Sequence, residues 1–223
     1  SVDPVTPYTA LITGFVAGED LASSGVDGSP AFTTNTTFNS PVSGNPYFIT
    51  PALGNLVSTN YLFNSFVDGS LTITAKPIAI IADPQTKVYG VVTDPELTYK
   101  LAAGNSLVGS DAFTGTLTRA IGEDVGAYLI SQGGLSLGDN YAMTFERNSL
   151  NITKKQIAII ADPQTKVYGV ATDPALTYKL AVGNALVGTD AFTGSLTRAI
   201  GENVGNYAIG QGNLVLSNNY TLL

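Results

Sequence analysis

The chain has 223 residues, 44 % hydrophobic and 12 % charged, which is enough apolar material for buried cores and too little charge for a disordered segment. Its formal net charge of −7 is spread as −4, −2 and −1 over residues 1–76, 77–155 and 156–223, which opposes a general electrostatic footprint for nucleic acid. Cysteine, histidine and tryptophan are absent, and this removes disulfides, thiol chemistry, the common zinc sites and imidazole acid/base catalysis.

In chain order, residues 1–76 begin with Asp3-Pro4 and Tyr8 and continue through a stretch from Gly14 to Gly44 rich in Ser, Thr, Asn and Gly. They close on Asn60-Tyr61 and Gly69-Ser-Leu71-Thr-Ile73-Thr. The next segment, IAIIADPQTKVYG from Ile78 to Gly90, returns letter for letter from Ile157 to Gly169. Residues 77–144 align without a gap on residues 156–223 at an offset of 79, with 18 mismatches in 68 positions. A period of that length exceeds the helical-solenoid and propeller-blade repeats and suits a small domain that closes its own core. Residues 1–76 answer the same pattern: Asp3-Pro4 and Tyr8 match Asp94-Pro95 and Tyr99, and Asn60-Tyr61, Leu71 and Ile73 match Asn140-Tyr141, Leu150 and Ile152. The chain therefore reads as a diverged copy (1–76) without its first strand, a complete copy (77–155), and a copy (156–223) without its last strand.

Within the complete copy the apolar spacing is mostly two, as in Leu97, Tyr99 and Leu101, in Tyr128 and Ile130, in Tyr141, Met143 and Phe145, and in Leu150 and Ile152. Such alternation marks half-buried strands. Asp83-Pro84, Asp94-Pro95, Gly104-Asn105, Gly133-Gly134 and Gly138-Asp139-Asn140 supply turns between them. The expected fold class is mainly β: tandem small β domains, sandwich-like or β-grasp-like, in an elongated array. Each copy has six or seven short strands and at most one short helix, with Ser106–Phe113 as the one segment suited to a helical turn.

No Gly/Ser linker separates the copies. Apolar positions change parity at each junction, from Leu71 and Ile73 to Ile78 and Ile80, and from Leu150 and Ile152 to Ile157 and Ile159. That change carries a strand out of one core and into the next. A terminal copy short of a strand has an open sheet edge, which fits either an excerpt of a longer array or a strand donated by a neighbouring molecule. Ser1 at the first position reads as a mature product or an excerpt. No apolar run approaches the roughly 18 residues that cross a bilayer, and no basic segment followed by an apolar core opens the chain.

Lys87-x-Tyr89-Gly90, Asp94-Pro95-x-Leu97-Thr98-Tyr99, Thr114-Gly115-x-Leu117-Thr118-Arg119, Gly122-Glu123-x-Val125-Gly126-x-Tyr128, Asn140-Tyr141 and a closing Leu150-x-Ile152-Thr153 resemble the YGX-type MBG repeats of bacterial surface adhesins. Equivalents run from Lys166 to Tyr220, while residues 1–76 lack the Leu-Thr-Arg and Gly-Glu pieces. The resemblance implies an extracellular repeated β module on the bacterial cell surface, used as stalk or display segment, with no catalytic residue. The abundance of Gly, Thr, Asn and Ser in tandem small domains suits an exported bacterial protein.

Several residues recur as candidates. Arg119 and Arg198 lie near Glu123 and Glu202, and Lys87 and Lys166 near Asp83 and Asp162; these read as surface or rim ion pairs bracing turns, with a ligand clamp as the functional alternative. Tyr89, Tyr99, Tyr128 and Tyr141 fit core packing better than a sugar-stacking platform. Calcium is the one cofactor kept open, on Asp83, Asp94, Glu96, Asp111, Glu123, Asp124 and Asp139, although no calcium-loop motif occurs and Glu96, Asp124 and Asp139 become Ala175, Asn203 and Asn218 in the next copy. No spacing identifies a lysine–asparagine isopeptide trio. The sequons at Asn35, Asn151 and Asn219 receive no role, and residues 14–44 are the place to look for a specificity loop.

The function expected from these readings is a non-enzymatic adhesin or surface-fibre segment acting as stalk and display scaffold, with a part in adhesion or biofilm. The alternatives are a multivalent glycan- or protein-binding module and a fibre subunit assembled by strand donation. The expected partners are neighbouring repeats, like chains in a fibre, and a host or matrix glycan or protein.

Overall fold

The computed structural model describes residues 8–223, so Asp3-Pro4, read above as the opening of the first copy, lies outside the described residues. Strands and turns make up the described chain, with a single 3-10 turn at Val42–Gly44 and no α-helix. The first strands are β1 (Ala31–Thr34), β2 (Tyr47–Ala52) and β3 (Gly69–Leu71). They are followed by β4 (Lys76–Ala82), β5 (Gln85–Val88), β6 (Tyr99–Leu101), β7 (Thr118–Arg119), β8 (Gly126–Ser131), β9 (Tyr141–Glu146) and β10 (Asn148–Thr153). The last are β11 (Lys155–Ile157), β12 (Ile159–Ala161), β13 (Tyr178–Leu180), β14 (Thr197–Arg198), β15 (Ile209–Gly210) and β16 (Tyr220–Leu222). The protein is mainly β, built of several small sheets.

Contacts divide the chain into two units. The first comprises Ser1–Ile78, described from Tyr8, with Ser106–Ala112 and Ser136–Thr144. Its sheet has the order β1-β2-β3, all antiparallel, with Tyr47 opposite Leu71 and Phe32 opposite Pro51. Two expectations change in this unit. The stretch 14–44 is not one long loop, because β1 lies inside it and pairs with β2. Nor does Ser106–Phe113 hold a helical turn: the Asp111 N–H donates to the Val108 carbonyl at 3.0 Å and closes a tight turn. Gly109 has φ +55° there, a left-handed conformation that ends any right-handed helix.

The second unit comprises Ala79–Asn105, Phe113–Leu135 and Phe145–Leu223. Its largest sheet has the order β5-β10-β8-β7, in which β10 runs parallel to β5 and antiparallel to β8. Period-two patterning explains the central position of β10: Leu150 and Ile152 are 0 % and 2 % exposed, and Ile80, Ala82 and Ile130 are each fully buried. Only Lys154 separates β10 from β11, and Ile157 on β11 is again fully buried. The parity change is thus seen as burial switching from even to odd positions within eight residues of chain. β12 pairs with β13 as β4 pairs with β6, with Ile159 opposite Leu180 where Ile80 stands opposite Leu101.

Identical turn contacts recur. A Cβ built on Gly115 (φ +75°) would stand 2.1 Å from the Gly134 carbonyl oxygen, and one on Gly194 (φ +85°) 2.2 Å from that of Asn213. Gly28 (φ +89°) approaches the Asn55 carbonyl in the same way. Backbone lies on both sides of the clash, so no side chain can swing aside. Gly115→Ala is expected to destabilise its unit by about 1–3 kcal/mol through strained φ and displaced backbone, read as a lowered urea midpoint with unchanged slope. An unchanged midpoint would show that the turn opens freely.

Candidate functional site

The sequence alternation on β5 turns Lys87 inward, and a buried ammonium must find anions. Lys87 Nζ lies 2.6 Å from Asp94 Oδ1 and 2.6 Å from Glu123 Oε2, with its side chain 3 % exposed. Arg119, at the end of β7, grips the same two carboxylates. Its Nε and Nη2 donate to Asp94 Oδ2 and Oδ1 at 2.6 and 3.2 Å, and Nη2 also donates to Glu123 Oε1. Arg119 Nη1 caps the carbonyls of Ala120 and Gly122, and the guanidinium lies 5.4 Å from the Tyr128 ring centroid. Two cations and two carboxylates thus form one closed cycle joining β5, the Asp94-Pro95 turn, β7 and the Gly122-Glu123 turn.

The cycle recurs with Lys166, Asp173, Arg198 and Glu202, where Lys166 Nζ is 2.9 Å from Asp173 and 2.7 Å from Glu202. Arg198 holds Asp173 through Nε at 2.8 Å and Nη2 at 3.0 Å. This second cycle is more open, with the Lys166 side chain 19 % exposed.

The arginine–glutamate pairs stand where expected, but the lysine pairs do not. Asp83 instead accepts the Thr98 hydroxyl at 3.0 Å and lies 3.4 Å from Lys100 Nζ, and Asp162 makes the matching contacts with Thr177 and Lys179. Lys87 faces the other way, into the module, so proximity in sequence pointed to the wrong acid, and the Lys87 pair is a buried one rather than a rim contact.

Protonation follows from this geometry. Asp94 is held below the usual carboxylate range, first by the Arg119 hydrogen bonds and then by Lys87, and Lys87 is raised by Asp94 and Glu123. Arg198 and then Lys166 push Asp173 down to about 2. A lysine between an aspartate and a glutamate is the set from which an isopeptide bond could form, yet amide formation needs a neutral amine and a protonated acid. Arg119 keeps Asp94 ionised, and Asp94 with Glu123 keeps Lys87 protonated, the opposite of both required states. The cycle can bind and orient charge, and it holds its lysine as a protonated cation.

A second constellation lies where the Ile78–Gly90 segment meets residues of the later repeat. The Tyr89 hydroxyl donates to Asp190 Oδ2 at 2.9 Å, its ring meets the Tyr220 ring edge-on at 5.3 Å, and the Tyr220 hydroxyl donates to the same Asp190 oxygen at 2.7 Å. Burial and then the Asp190 carboxylate push Tyr220 up to about 12. Asn219 Oδ1 accepts the Val125 N–H at 2.8 Å, and its amide donates to Asp124 Oδ1 at 2.8 Å. Gly90 is required here, since a Cβ would stand 2.3 Å from the Val187 side chain at φ +85°. In the first unit Asn140 makes the same reach, its Oδ1 accepting the Val42 N–H at 2.8 Å.

The YGX-type MBG domain family matches residues 78–151 and 157–223. The chain belongs to this family. No curated protein and no solved structure matches it. Both MBG matches open within a step of the Ile-Ala-Ile-Ile strands and include a full ion-pair cycle.

Against the MBG framework, the four tyrosines have separate tasks. Tyr89 sits in the joint, Tyr99 packs edge-on against Phe113 at 5.2 Å, and Tyr128 lies over Gly122 with its hydroxyl on the Asp124 carbonyl. Tyr141 accepts the Val108 N–H and donates to Asp111 at 2.6 Å. The structure does not bring them together as one platform. Of the acids considered for calcium, Asp94 and Glu123 belong to the cycle, Asp83 to Thr98, Asp111 to Tyr141 and Asp124 to Asn219. Among the described residues no group of three or more acids is placed to hold a metal ion. Nor is any helix among them long and apolar enough to cross a membrane. Asn219 and Asn140 make these reaches although sequence reading gave neither a role. Their signal was the recurring Asn-Tyr pair, and the sequon that begins at Asn219 was beside the point.

Proposed function

We propose that this MBG segment is a non-enzymatic spacer and display scaffold of a bacterial surface adhesin, working outside the cell. The observation that carries the reading is the joint inside the second unit: Tyr89 with Asp190 and Tyr220, Asn219 with Asp124 and Val125, and a single residue between β10 and β11. A spacer transmits position, and position is lost if consecutive modules swivel. Contacts from two neighbouring residues of the later repeat to the earlier one, together with a one-residue connector, remove that freedom.

Residues 1–76 are read as a diverged module of the same array. Tyr61 accepts the Val16 N–H and donates to Glu19, three residues on, as Tyr141 does with Val108 and Asp111 and Tyr220 with Val187 and Asp190. The Gly28 contact is a second shared feature.

Ala103 and Val182 are equivalent exposed positions in the two matched modules, and the chain contains no cysteine, so Ala103→Cys/Val182→Cys accepts two spin labels cleanly. The expected result is one narrow distance distribution, broadened when Tyr89→Phe and Asn219→Ala are added. A distribution already broad before those changes would overturn the spacer reading.

A further inference from the structure

The second strand of the earlier matched module and its closing strand run side by side in one direction. β10 is parallel to β5, with Leu150 opposite Gln85 and Thr153 opposite Val88. Side-chain bonds brace both ends of this run: Asn148 Nδ2 donates to the Ala82 carbonyl at 3.2 Å, and the Thr153 hydroxyl to the Lys87 carbonyl at 3.2 Å. The Tyr89 N–H then donates to the Thr153 carbonyl at 2.9 Å. The later matched module opens on a parallel pair as well. β11 is parallel to β16, with Lys155 opposite Tyr220 and Ile157 opposite Leu222. A single residue joins β10 to β11, so the two parallel pairs follow each other directly along the backbone.

Strand direction decides how a pull along the chain acts on a pair. Tension enters β5 at Gln85 and leaves β10 at Thr153, opposite ends of a parallel pair, so the two strands are drawn past each other. Every bond between them is then loaded at once, whereas a pair pulled from adjacent ends parts one bond at a time. Both strands are also held from other directions. β8 flanks β10 on its far side, with Asn148 opposite Ile130 and Ile152 opposite Gly126, and β5 is tied through Lys87 to Asp94 and Glu123. Leu150 and Ile152 are buried, which keeps water from taking the place of the loaded bonds.

We infer that β5 and β10 form a load-bearing clamp, through which the chain resists tension along its length. The ion-pair cycle gains a second task, since it anchors the strand that receives the load. The clamp goes beyond the spacer role, which asks only for a fixed orientation at rest, and it stands on strand direction and register alone.

The test holds the whole chain at constant force between cysteine-linked handles, whose positions are unambiguous because the sequence has no cysteine. Thr74→Cys/Lys154→Cys places the handles before β4 and after β10 and loads the pair in shear. Val92→Cys/Lys154→Cys places them after β5 and after β10, at adjacent ends, and peels the pair from the Tyr89–Thr153 bond onward. All three positions are exposed. At equal force the module should survive at least ~10-fold longer in shear than in peeling, because several bonds must break together rather than in turn. Unchanged protection of the Tyr89 N–H from hydrogen exchange checks that the handles leave the pair intact. Thr72→Cys in place of the Thr74 change and Val91→Cys in place of the Val92 change, also at exposed positions, should give the same ratio. A smaller ratio from either set of handles, or a longer life in peeling, overturns the inference. The Ala103–Val182 distance is read without load, so a swivelling joint would overturn the spacer reading and leave the clamp standing, and equal lifetimes would do the reverse.

Discussion

Alanine at Leu150 is expected to cost its module about 2–5 kcal/mol, the usual range for emptying a fully buried leucine site. Leu150 is 0 % exposed on the strand that holds β5 and β8 together, so the vacated volume lies at the centre of a four-stranded sheet. The loss should not stay local to the cavity. Weakening β10 releases the Tyr89 N–H from Thr153, and Gln85–Val88 should drift toward the unpaired state that Gln164–Val167 already shows. Hydrogen exchange read residue by residue is the fitting measurement, because a chain of several modules need not unfold in one step. Exchange at Tyr89 should accelerate by at least ~30-fold, the equivalent of 2 kcal/mol, while exchange at Lys179 on β13, opposite Ile160, stays near its original rate. Leu214→Ala, which empties another site only 1 % exposed, should accelerate exchange in the later module and leave Tyr89 protected unless the joint gives way. Equal acceleration in both modules from Leu150→Ala alone would mean that they unfold as one body.

The same two segments show how much of the fold is legible in the letters. Alternation at Ile78 and Ile80 and at Leu150 and Ile152 predicted inward faces correctly, because burial on a strand depends on a period of two that no partner can alter. Whether Gln-Thr-Lys-Val becomes a strand depends instead on a partner more than sixty residues later in the chain. Local propensity cannot report that, and identical sequence gave two outcomes. Turn chemistry was legible where glycine allowed one answer, and it overruled the helical reading at Ser106–Phe113 through Gly109. Site residues were half legible. Arg119 and Glu123 lie four residues apart and meet, as closeness in sequence suggested, whereas the partner of Lys87 is settled by which face of β5 it occupies. Asp94 was visible in a turn motif and among the calcium candidates but not as an ion-pair partner, yet both cations share it, as they share Glu123.

That sharing makes Asp94→Asn the most informative change in the ion-pair cycle. The substitution keeps the shape of the side chain and removes the charge between Lys87 and Arg119, so two cations are left with Glu123 alone. Breaking a buried pair by removing one partner costs 3–5 kcal/mol, and the Asp94 side chain is 33 % exposed, so partial hydration reduces the expected loss to about 1–3 kcal/mol. Asp173→Asn should cost less, because Lys166 is already in reach of water with its side chain 19 % exposed. The pH dependence gives an independent check. Asp94 and Glu123 have folded-state values below their unfolded ones, so their contribution is complete above about pH 4 and is lost as pH falls through the folded values. With Asp173 held at about 2, the window for the later cycle runs from about pH 4 down to about pH 2. Stability of the unaltered chain should therefore fall across that interval in both modules. Asp94→Asn should flatten the fall at exchange probes around Tyr89 and leave it steep around β13, since the asparagine has no proton to take up. If both modules kept the same acid slope after the substitution, the cycle would be an arrangement of charges that contributes nothing to holding the β5, β7 and Gly122-Glu123 segments together.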